Sequence, residues 1–277
     1  MGIPYAEVIG DPVAHSKSPL IHKFWLRKTG VEGDYRALRV PVEELADYFS
    51  KRAGDPDWRG CNIAMPHKYA ALDHVRFDTD PSFPVEPINT ALRREGTGRI
   101  EGFNTDKNGF MEPLLPMHGG HVARPRGPAV IVGAGGAAAA AAWMMPVMGY
   151  APIWIVARNP SRSAKMAEDF ARVGAIAASF ADPLPEARLL VNASPLGMAG
   201  FPPFPFSLDR MVADGIVYDM VYAPAETELL RAARRRELQV IDGLAMLVGQ
   251  AALAFQLFFQ APPPRAFDDE LRAALLR

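Results

Sequence analysis

The 277-residue sequence contains a single cysteine, Cys61, so no disulfide can form within the chain and a reducing compartment is expected. It has no run close to the ~18 apolar residues that a membrane-spanning helix needs. Its opening residues have neither the basic region nor the apolar stretch of a secretory signal. The formal net charge of −1 gives no electrostatic reason for binding nucleic acid or a membrane surface. These absences predict a cytoplasmic protein without a nucleic-acid or membrane partner.

Metal ligands do not occur in the patterns that metal sites require. The six histidines are scattered, without an H-E-x-x-H pair or a Cys/His cluster. We therefore expect no metal in the functional site.

What the chain does contain is an alternation of strand and helix patterns, which is typical of α/β proteins with largely parallel sheets. Apolar residues make up 49% of the sequence, enough for a sizeable core, and the length allows two domains. The segment from Met117 to Pro128 is rich in glycine and proline and is predicted to link them. Ser18-Pro19 is expected to begin the first helix, with the serine as its N-cap. The predicted strands are 5–9, 35–40, 60–65, 129–132, 153–157, 188–193 and 216–219, and the later helices are 42–52, 136–148, 161–173 and 242–259.

A glycine-rich turn follows the strand predicted at 129–132. It reads Gly133-Ala134-Gly135-Gly136-Ala137-Ala138, a G-x-G-x-x-A pattern that leads into a helix. Gly133 permits a tight turn, and Gly135 lets the backbone approach a phosphate at the start of that helix. A strand-to-helix turn that binds nothing would also carry this pattern. We predict a dinucleotide site that includes Gly133, Gly135, Gly136 and Ala137.

The next predicted strand is followed by Arg158-Asn159-Pro160-Ser161-Arg162, where an NAD-binding protein would carry an acidic residue for the ribose. No carboxylate stands there, and two guanidiniums suit the additional phosphate of NADP. The alternative is that both arginines are solvated on a surface loop. We predict NADP as the cofactor, bound by Arg158, Asn159 and Arg162.

Four polar clusters lie in the first half of the chain, at strand ends where α/β sheets often bind ligands. Two serines at a helix start could hold a carboxylate, although turn and capping roles would explain them equally. Lys68 could exchange a proton with an alkoxide beside Asp106, although most lysines are solvated and an Asn-Thr-Asp triplet is more often a turn. The clusters are Ser16 to Pro19, Asn62 to Lys68, Pro87 to Thr90 and Gly102 to Asp106.

In their order along the chain, these segments resemble one family, the shikimate dehydrogenases. The family pattern includes S-x-S-P, N-V-T-x-P-x-K, an A-V-N-T-like segment, N-T-D, G-A-G-G-A, N-A-T/S-P-x-G, Y-x-P-x-x-T and G-x-x-M-L-V-x-Q. The resemblance extends over nearly the whole chain, and eight ordered motifs are far more specific than any one of them. The corresponding segments here are Ser16 to Pro19, Asn62 to Lys68, Ile88 to Thr90, Asn104 to Asp106, Gly133 to Ala137, Asn192 to Gly197, Tyr222 to Thr227 and Gly243 to Gln250.

The resemblance implies an α/β fold of two domains: an N-terminal substrate domain with a mostly parallel sheet, and a Rossmann domain that binds NADP. A C-terminal helix would return to the first domain, so that residues 1–108 plus 244–277 form one domain and residues 109–243 the other. The implied activity is the reversible reduction of 3-dehydroshikimate to shikimate with NADP, a step of chorismate and aromatic amino acid biosynthesis. Whether the enzyme is a monomer or a homodimer is left open.

The roles of individual residues are also implied by the resemblance. Lys68 would donate and accept the proton at the reacting oxygen, and Asp106 would orient it and bond a ring hydroxyl. Ser16 and Ser18 would hold the substrate carboxylate. The remaining implied contacts are those of Asn89, Tyr222 and Gln250 with the substrate, and those of Ser194 and Gly243 with the cofactor.

Some positions depart from the family pattern. Ala64 replaces the threonine of N-V-T, which removes a hydroxyl near the substrate and leaves room for a further substituent. Ala157 and Asn159 replace the asparagine and threonine that flank the arginine of the NADP loop, so NAD is retained as an alternative cofactor. Two other functions stay open: a quinate or quinate/shikimate dehydrogenase, and an NADP-binding protein without catalytic activity.

Overall fold

The computed structural model describes residues 2–78, 84–120 and 124–277. These residues divide into two units. The first unit consists of the described residues of Met1–Asp80 together with Val85–Thr105 and Gln250–Arg277, and the second unit contains Asp106–Gly249. Each unit has its own sheet, and helices alternate with the parallel strands in both, which confirms the predicted α/β fold class.

A five-stranded sheet with the order β2-β1-β3-β4-β5 forms the centre of the first unit. β1 (Tyr5–Gly10) is buried along its whole length and lies parallel to β2 (Asp34–Arg39) and β3 (Trp58–Ile63), its two neighbours. β4 (Thr90–Arg93) and β5 (Ile100–Phe103) extend the sheet beyond β3 as antiparallel strands. The sequence did not predict these two strands, because each has only four residues and lies beside polar residues typical of turns.

The first helix, α1 (Ser18–Thr29), begins differently from the prediction. Ser18 was expected to be its N-cap, and this is wrong, because the N-cap is Lys17 and Ser18 is already the first helical residue. The hydroxyl of Ser16 accepts a hydrogen bond from the Ser18 N–H at 3.2 Å, which closes a turn just before the helix. A 3₁₀ turn at Val42–Glu44 then leads into α2 (Leu45–Ala53), and a second 3₁₀ turn covers Ala70–His74.

The second unit begins with two short helices, α3 (Asp106–Met111) and α4 (Leu114–Met117), which precede its sheet. The predicted linker from Met117 to Pro128 is therefore shorter at both ends, since α4 includes Met117 and the next strand begins at Gly127; residues 121–123 lie outside the described residues. The six strands are all parallel, in the order β11-β10-β9-β6-β7-β8. They are β6 (Gly127–Val132), β7 (Tyr150–Val156), β8 (Ala175–Ala178), β9 (Ala187–Asn192), β10 (Met211–Asp219) and β11 (Gln239–Ile241).

Three helices accompany this sheet: α5 (Gly136–Val147), α6 (Pro160–Asp169) and α7 (Glu228–Arg235). Alanines 138–142 of α5 are all buried, and their small side chains allow the helix to approach the strands closely. The helix predicted at 161–173 ends earlier, at Asp169, and a 3₁₀ turn at Ala171–Val173 follows it. The sequence missed α7, β8 and β11.

The helix α8 (Gly243–Phe259) takes the chain back to the first unit, as the resemblance implied. Its residues up to Gly249 belong to the second unit, and those from Gln250 belong to the first. A 3₁₀ turn at Arg265–Phe267 and a last helix, α9 (Asp268–Leu275), follow it. Within the described parts of the chain, no helix has the length and apolar character needed to cross a membrane.

An aromatic core connects α1, β2 and α8 in the first unit. The ring of His22 lies parallel to that of Tyr35, with centroids 4.0 Å apart, and Phe255 and Phe258 lie 5.9 and 6.0 Å from His22. Among the described residues, neither ring nitrogen of His22 has a hydrogen-bond partner. Burial lowers the pKa of His22 to about 3, so the ring is neutral in the folded protein at neutral pH.

Candidate active site

The turn between β6 and α5 leaves no room for a side chain at Gly133. Its φ is +132°, and a Cβ atom there would lie 2.5 Å from the carbonyl oxygen of Ala193. The Gly133 N–H donates to the carbonyl oxygen of Val156 at 2.8 Å. The turn therefore lies against the ends of β7 and β9, where only glycine fits.

The neighbouring Gly135 faces open space. It is exposed, it is the N-cap of α5, and a Cβ atom there would meet nothing within 4 Å. Gly136 and Ala137 follow as the first helical residues, and the N–H groups of this first turn have no partner within the helix. A phosphate can approach such a backbone closely, and the partial positive charge of the helix start stabilises it. The turn thus fits the diphosphate of a dinucleotide.

The loop between β7 and α6 carries the predicted 2′-phosphate ligands. Arg158 and Arg162 are both exposed, and within the described parts of the chain neither has an ion-pair or hydrogen-bond partner for its guanidinium. Most other exposed arginines of the described residues, such as Arg231 with Glu228, do form ion pairs. Asn159 is the N-cap of α6 and accepts a hydrogen bond from the Ser161 N–H at 3.0 Å through its carboxamide oxygen. Two unpaired cations at the start of a helix fit a phosphate dianion.

Ser194 belongs to a buried network at the ends of β9 and β10. Its hydroxyl donates to Asn192 Oδ1 at 2.7 Å, and Asn192 Nδ2 donates to Asp219 Oδ1 at 2.9 Å. The hydroxyl of Thr227, which is the N-cap of α7, donates to Asp219 Oδ2 at 2.6 Å. Burial raises the pKa of Asp219. The network joins two of the sequence motifs and fixes Ser194 beside Gly133, whose Cβ position lies 3.2 Å from the Ser194 nitrogen.

Sequence reasoning assigned no role to Asn192 or Asp219. For Asn192 the available signal was its place at the start of the motif Asn192 to Gly197, and for Asp219 it was a carboxylate at the end of an apolar strand, where polar residues are unusual.

Gly243 and Tyr222 lie near each other in the second unit. A Cβ atom at Gly243 would lie 2.4 Å from the carbonyl oxygen of Met220 and 2.6 Å from Val221. The start of α8 therefore packs directly on the backbone that leads to Tyr222. Tyr222 is half-buried, and burial raises the pKa of its phenol, so the hydroxyl is neutral and can donate a hydrogen bond.

Asn89 is held by Thr105 in the first unit. The Thr105 N–H donates to Asn89 Oδ1 at 2.7 Å, and Asn89 Nδ2 donates to Thr105 Oγ1 at 2.9 Å. The Asn89 N–H donates to the carbonyl oxygen of Phe103 at 3.0 Å, and its own carbonyl accepts from Ile63 at 2.7 Å. The carboxamide is thus oriented by its neighbours at the end of the parallel strands.

Lys68 is half-buried, and the backbone on both sides of it is anchored. Its carbonyl oxygen accepts a hydrogen bond from the Ile88 N–H at 3.0 Å. The preceding His67 is fully buried, and its Nε2 donates to the carbonyl oxygen of Val40 at 2.6 Å. Lys68 therefore directly follows the anchored His67, and its backbone is hydrogen-bonded to the segment that contains Asn89.

The other predicted substrate contacts are distributed over both units. Ser16, Ser18, Lys68, Asn89 and Gln250 belong to the first unit, whereas Asp106 is the first residue of α3 and Tyr222 follows β10, both in the second unit. Asp106 and Gln250 are 7 and 8% exposed. Two of the boundaries between the units, at residues 105/106 and 249/250, are thus each followed by a predicted substrate-binding residue.

Two segments of the chain, one toward each end, match models of known protein families. Residues 8–91 match the family model of the shikimate dehydrogenase substrate binding domain, and residues 243–267 match that of the shikimate 5′-dehydrogenase C-terminal domain. A relative from Sphingopyxis alaskensis named shikimate dehydrogenase (NADP(+)) is 48% identical over 275 residues, which cover 99% of this chain and 97% of the relative. The chain belongs to the shikimate dehydrogenase family. The family resemblance found in the sequence is confirmed.

Other members of the shikimate dehydrogenase family match over similar lengths. A relative of the same name from one strain of Thermus thermophilus is 39% identical over 275 residues, with 97% of each chain covered. The crystal structure of shikimate 5-dehydrogenase from another strain of that species, in complex with NADP(H) and shikimate, is 36% identical, with a TM-score of 0.83 and coverage of 99% and 100%. Quinate dehydrogenase from Corynebacterium glutamicum in complex with NAD is 26% identical, with a TM-score of 0.82 and coverage of 98% and 99%.

Proposed function

We propose that this chain catalyses the reversible, NADP-dependent reduction of 3-dehydroshikimate to shikimate. The observation that carries this function is the 48% identity, over nearly the whole of both chains, with a relative named shikimate dehydrogenase (NADP(+)). The chemistry of the site agrees with it, because a polyhydroxylated acid needs several amides and hydroxyls and one anion site, and unpaired buried polar groups are costly.

The substrate roles are assigned to residues of both units. Ser16 and Ser18, at the start of α1, bind the carboxylate through hydroxyls and the helix start, where negative charge is favoured. Asn89 and Asp106 bond ring hydroxyls, since an oriented carboxamide and a buried carboxylate offer a donor and acceptors. Gln250 and Tyr222 contribute further polar contacts.

Lys68 is the general acid and base of the reaction. Its ammonium donates a proton to the carbonyl oxygen during reduction, and its amine accepts a proton from the hydroxyl during oxidation. Asp106 orients Lys68 and stabilises its charged form. The anchored backbone around Lys68 supports this role, because a proton donor must be held within hydrogen-bond reach of the reacting oxygen.

The cofactor residues are those of the two loops described above. The chemistry that the nicotinamide supplies when bound is the hydride. Gly133, Gly135, Gly136 and Ala137 hold the diphosphate, and Ser194 and Gly243 border the same site. Arg158, Asn159 and Arg162 hold the 2′-phosphate, which makes NADP the preferred cofactor and NAD a weaker alternative.

The second candidate function is quinate oxidation. Ala64, which follows β3, has no hydroxyl, and the space it leaves suits the additional hydroxyl of quinate. In either case we infer a cytoplasmic enzyme, monomeric or homodimeric, with a small-molecule substrate and neither a nucleic-acid nor a membrane partner.

The test is a steady-state assay that follows the absorbance of the reduced nicotinamide. Shikimate and quinate are each supplied with NADP+ and with NAD+. Turnover that is fastest with shikimate and NADP+ supports the proposed function. Faster turnover of quinate replaces it by the second candidate, and the absence of turnover with all four pairs overturns both.

A further inference from the structure

A continuous chain of buried hydrogen bonds runs through the first unit from Tyr35 to Asn89. The Tyr35 hydroxyl donates to Asn62 Oδ1, 2.6 Å away. Asn62 Nδ2 donates to Thr90 Oγ1 at 3.0 Å, and Thr90 Oγ1 donates to Asn89 Oδ1 at 3.1 Å. All four residues are at most 5% exposed. Water therefore has little access to replace any of these hydrogen bonds.

Tyr35 is the member of this chain that crosses the sheet. It lies on β2 and its partner Asn62 lies on β3, with β1 between them. Its register partner on β1 is Ala6, whose small side chain leaves space for the phenol to reach across the strand. The ring is fully buried and stacks on His22 at 4.0 Å with an interplanar angle of 1°. The position of the hydroxyl is therefore fixed by packing as well as by its hydrogen bond to Asn62.

Asn89, at the end of this chain, is the residue to which we assigned a ring hydroxyl. We infer that Tyr35 is a positioning residue for substrate recognition: its hydroxyl fixes the orientation of Asn89 through Asn62 and Thr90. Tyr35 does this without contacting the substrate or the reacting atoms. The inference rests on the proposed function, since it names a further residue of that same site.

Removal of the Tyr35 hydroxyl leaves Asn62 Oδ1 without its Tyr35 donor. The Asn62 side chain can then rotate away from Thr90, and substrate binding must restore the orientation of Asn89. The cofactor loops belong to the second unit and not to the unit that contains this hydrogen-bond chain. The loss should therefore raise KM and leave kcat unchanged, as expected for an interaction used equally in the ground state and the transition state.

The experiment compares Tyr35→Phe with Tyr48→Phe in shikimate oxidation with NADP+. Tyr48 is a matched control, since it is 7% exposed in the same unit and its hydroxyl donates to Glu7 Oε2 at 2.9 Å, outside the chain of hydrogen bonds. We expect Tyr35→Phe to raise KM for shikimate about threefold to tenfold, the range for one lost hydrogen bond, with kcat and KM for NADP+ unchanged. Tyr48→Phe should lower the melting temperature and leave KM for shikimate unchanged.

Two further variants keep the inference testable if Tyr35→Phe does not fold. Thr90→Val removes the hydroxyl that links Asn62 Nδ2 to Asn89 Oδ1 and should also raise KM for shikimate. Asn89→Ala combined with Tyr35→Phe should raise KM no more than Asn89→Ala alone, because residues linked in one network are not additive.

The outcomes separate this inference from the proposed function. An active wild-type enzyme with unchanged KM in Tyr35→Phe or Thr90→Val overturns the role of Tyr35 alone. The same holds if Tyr48→Phe raises KM as much, or if the Asn89 and Tyr35 effects add. A wild-type enzyme that does not turn over shikimate overturns the proposed function and this inference with it.

Discussion

The side-chain nitrogen of Lys17 donates a hydrogen bond to the carbonyl oxygen of Leu275, 2.6 Å away. Leu275 is the last residue of α9, and carbonyl groups at a helix end lack partners within the helix and carry partial negative charge. Lys17 stands between Ser16 and Ser18, the two serines that we assign to the substrate carboxylate. Its side chain links the turn that carries both serines to the C-terminal helix. Lys28 makes a second connection from α1, to Glu270 at 2.7 Å.

Lys17→Met should weaken substrate binding although the lysine contacts no substrate. The variant loses a half-buried charge-assisted hydrogen bond, worth about 1.5–3 kcal/mol, and frees the turn that carries Ser16 and Ser18. We expect a lower melting temperature and a KM for shikimate that rises about threefold or more. Lys23→Met is the control, because Lys23 forms only an exposed ion pair with Asp34. Equal effects of the two variants would contradict a specific role for Lys17.

Lys68→Ala should lower kcat by about 10²- to 10⁴-fold with little change in KM for shikimate, as expected for a general acid and base. Asp106→Asn should lower kcat less, and the double variant should be no slower than Lys68→Ala, because Asp106 acts through the lysine. Steady-state kinetics in both directions measure these values. A loss confined to KM would assign Lys68 to binding instead.

Arg158→Gln and Arg162→Gln should each raise KM for NADP+ by about tenfold or more and leave KM for NAD+ unchanged, since each removes one charge from the 2′-phosphate site. Lys165→Gln on the same helix, α6, is the charge-matched control, and its partner is Asp169 rather than the cofactor. Higher salt should raise KM for NADP+ in the wild type more than in either arginine variant. If Lys165→Gln has the same effect, general surface charge rather than these two guanidiniums attracts the cofactor.

Ala64→Thr should shift substrate preference toward shikimate. Ala64 is half-buried, and its N–H donates to the carbonyl oxygen of Ile9 at 2.8 Å, so its backbone is fixed and the new side chain has a defined origin. One added hydroxyl that bonds the substrate should raise kcat/KM for shikimate relative to quinate about threefold to tenfold. Ala64→Val has the same shape without the hydroxyl and separates the effect of hydrogen bonding from that of volume. The expectation fails if threonine and valine change the ratio equally.

The buried His22 should make stability fall as the pH is lowered. Its folded-state pKa is about 3 and its unfolded value is 6.5, so the unfolded state binds the proton first. The contribution of the neutral, buried ring to the free energy of unfolding is complete above pH 6.5. It is lost progressively as the pH falls from 6.5 toward 3, by about 2 kcal/mol at pH 5.

Thermal unfolding between pH 7 and pH 5 measures this effect. His22→Phe keeps the stack on Tyr35 and removes no hydrogen bond made by the ring among the described residues, so it should flatten the pH dependence. His15→Gln, at an exposed position, should leave it unchanged. If the stability of His22→Phe falls with pH as steeply as that of the wild type, groups other than His22 cause the loss of stability.

The parts of the fold that the sequence predicted are those set by local chemistry. The turn at Gly133 and the long helix α8 each depend on neighbours in the chain, and the structure contains both. Strands β4 and β5 were missed because their pairing partners lie on β3 and on each other, which no four-residue pattern reveals.

The polar contacts inside the site were missed for the same reason. Tyr35 and Asn62 are 27 residues apart, and a tyrosine in a strand is ordinarily read as core. The N-cap at Ser18 was wrong because Ser16, two residues earlier, already accepts the Ser18 N–H. The N-cap propensity of serine favours this residue type at the start of a helix. It does not distinguish Ser16 from Ser18, because that choice depends on where the backbone turns.

The return of the chain through α8 also sets the order in which the two units can be completed during synthesis. The first unit lacks the Phe255 and Phe258 side chains that pack on His22 until the ribosome has made all of Asp106–Gly249. The second unit needs nothing beyond Gly249 to close its own sheet. The half of the protein that is translated first is therefore the half that finishes folding last.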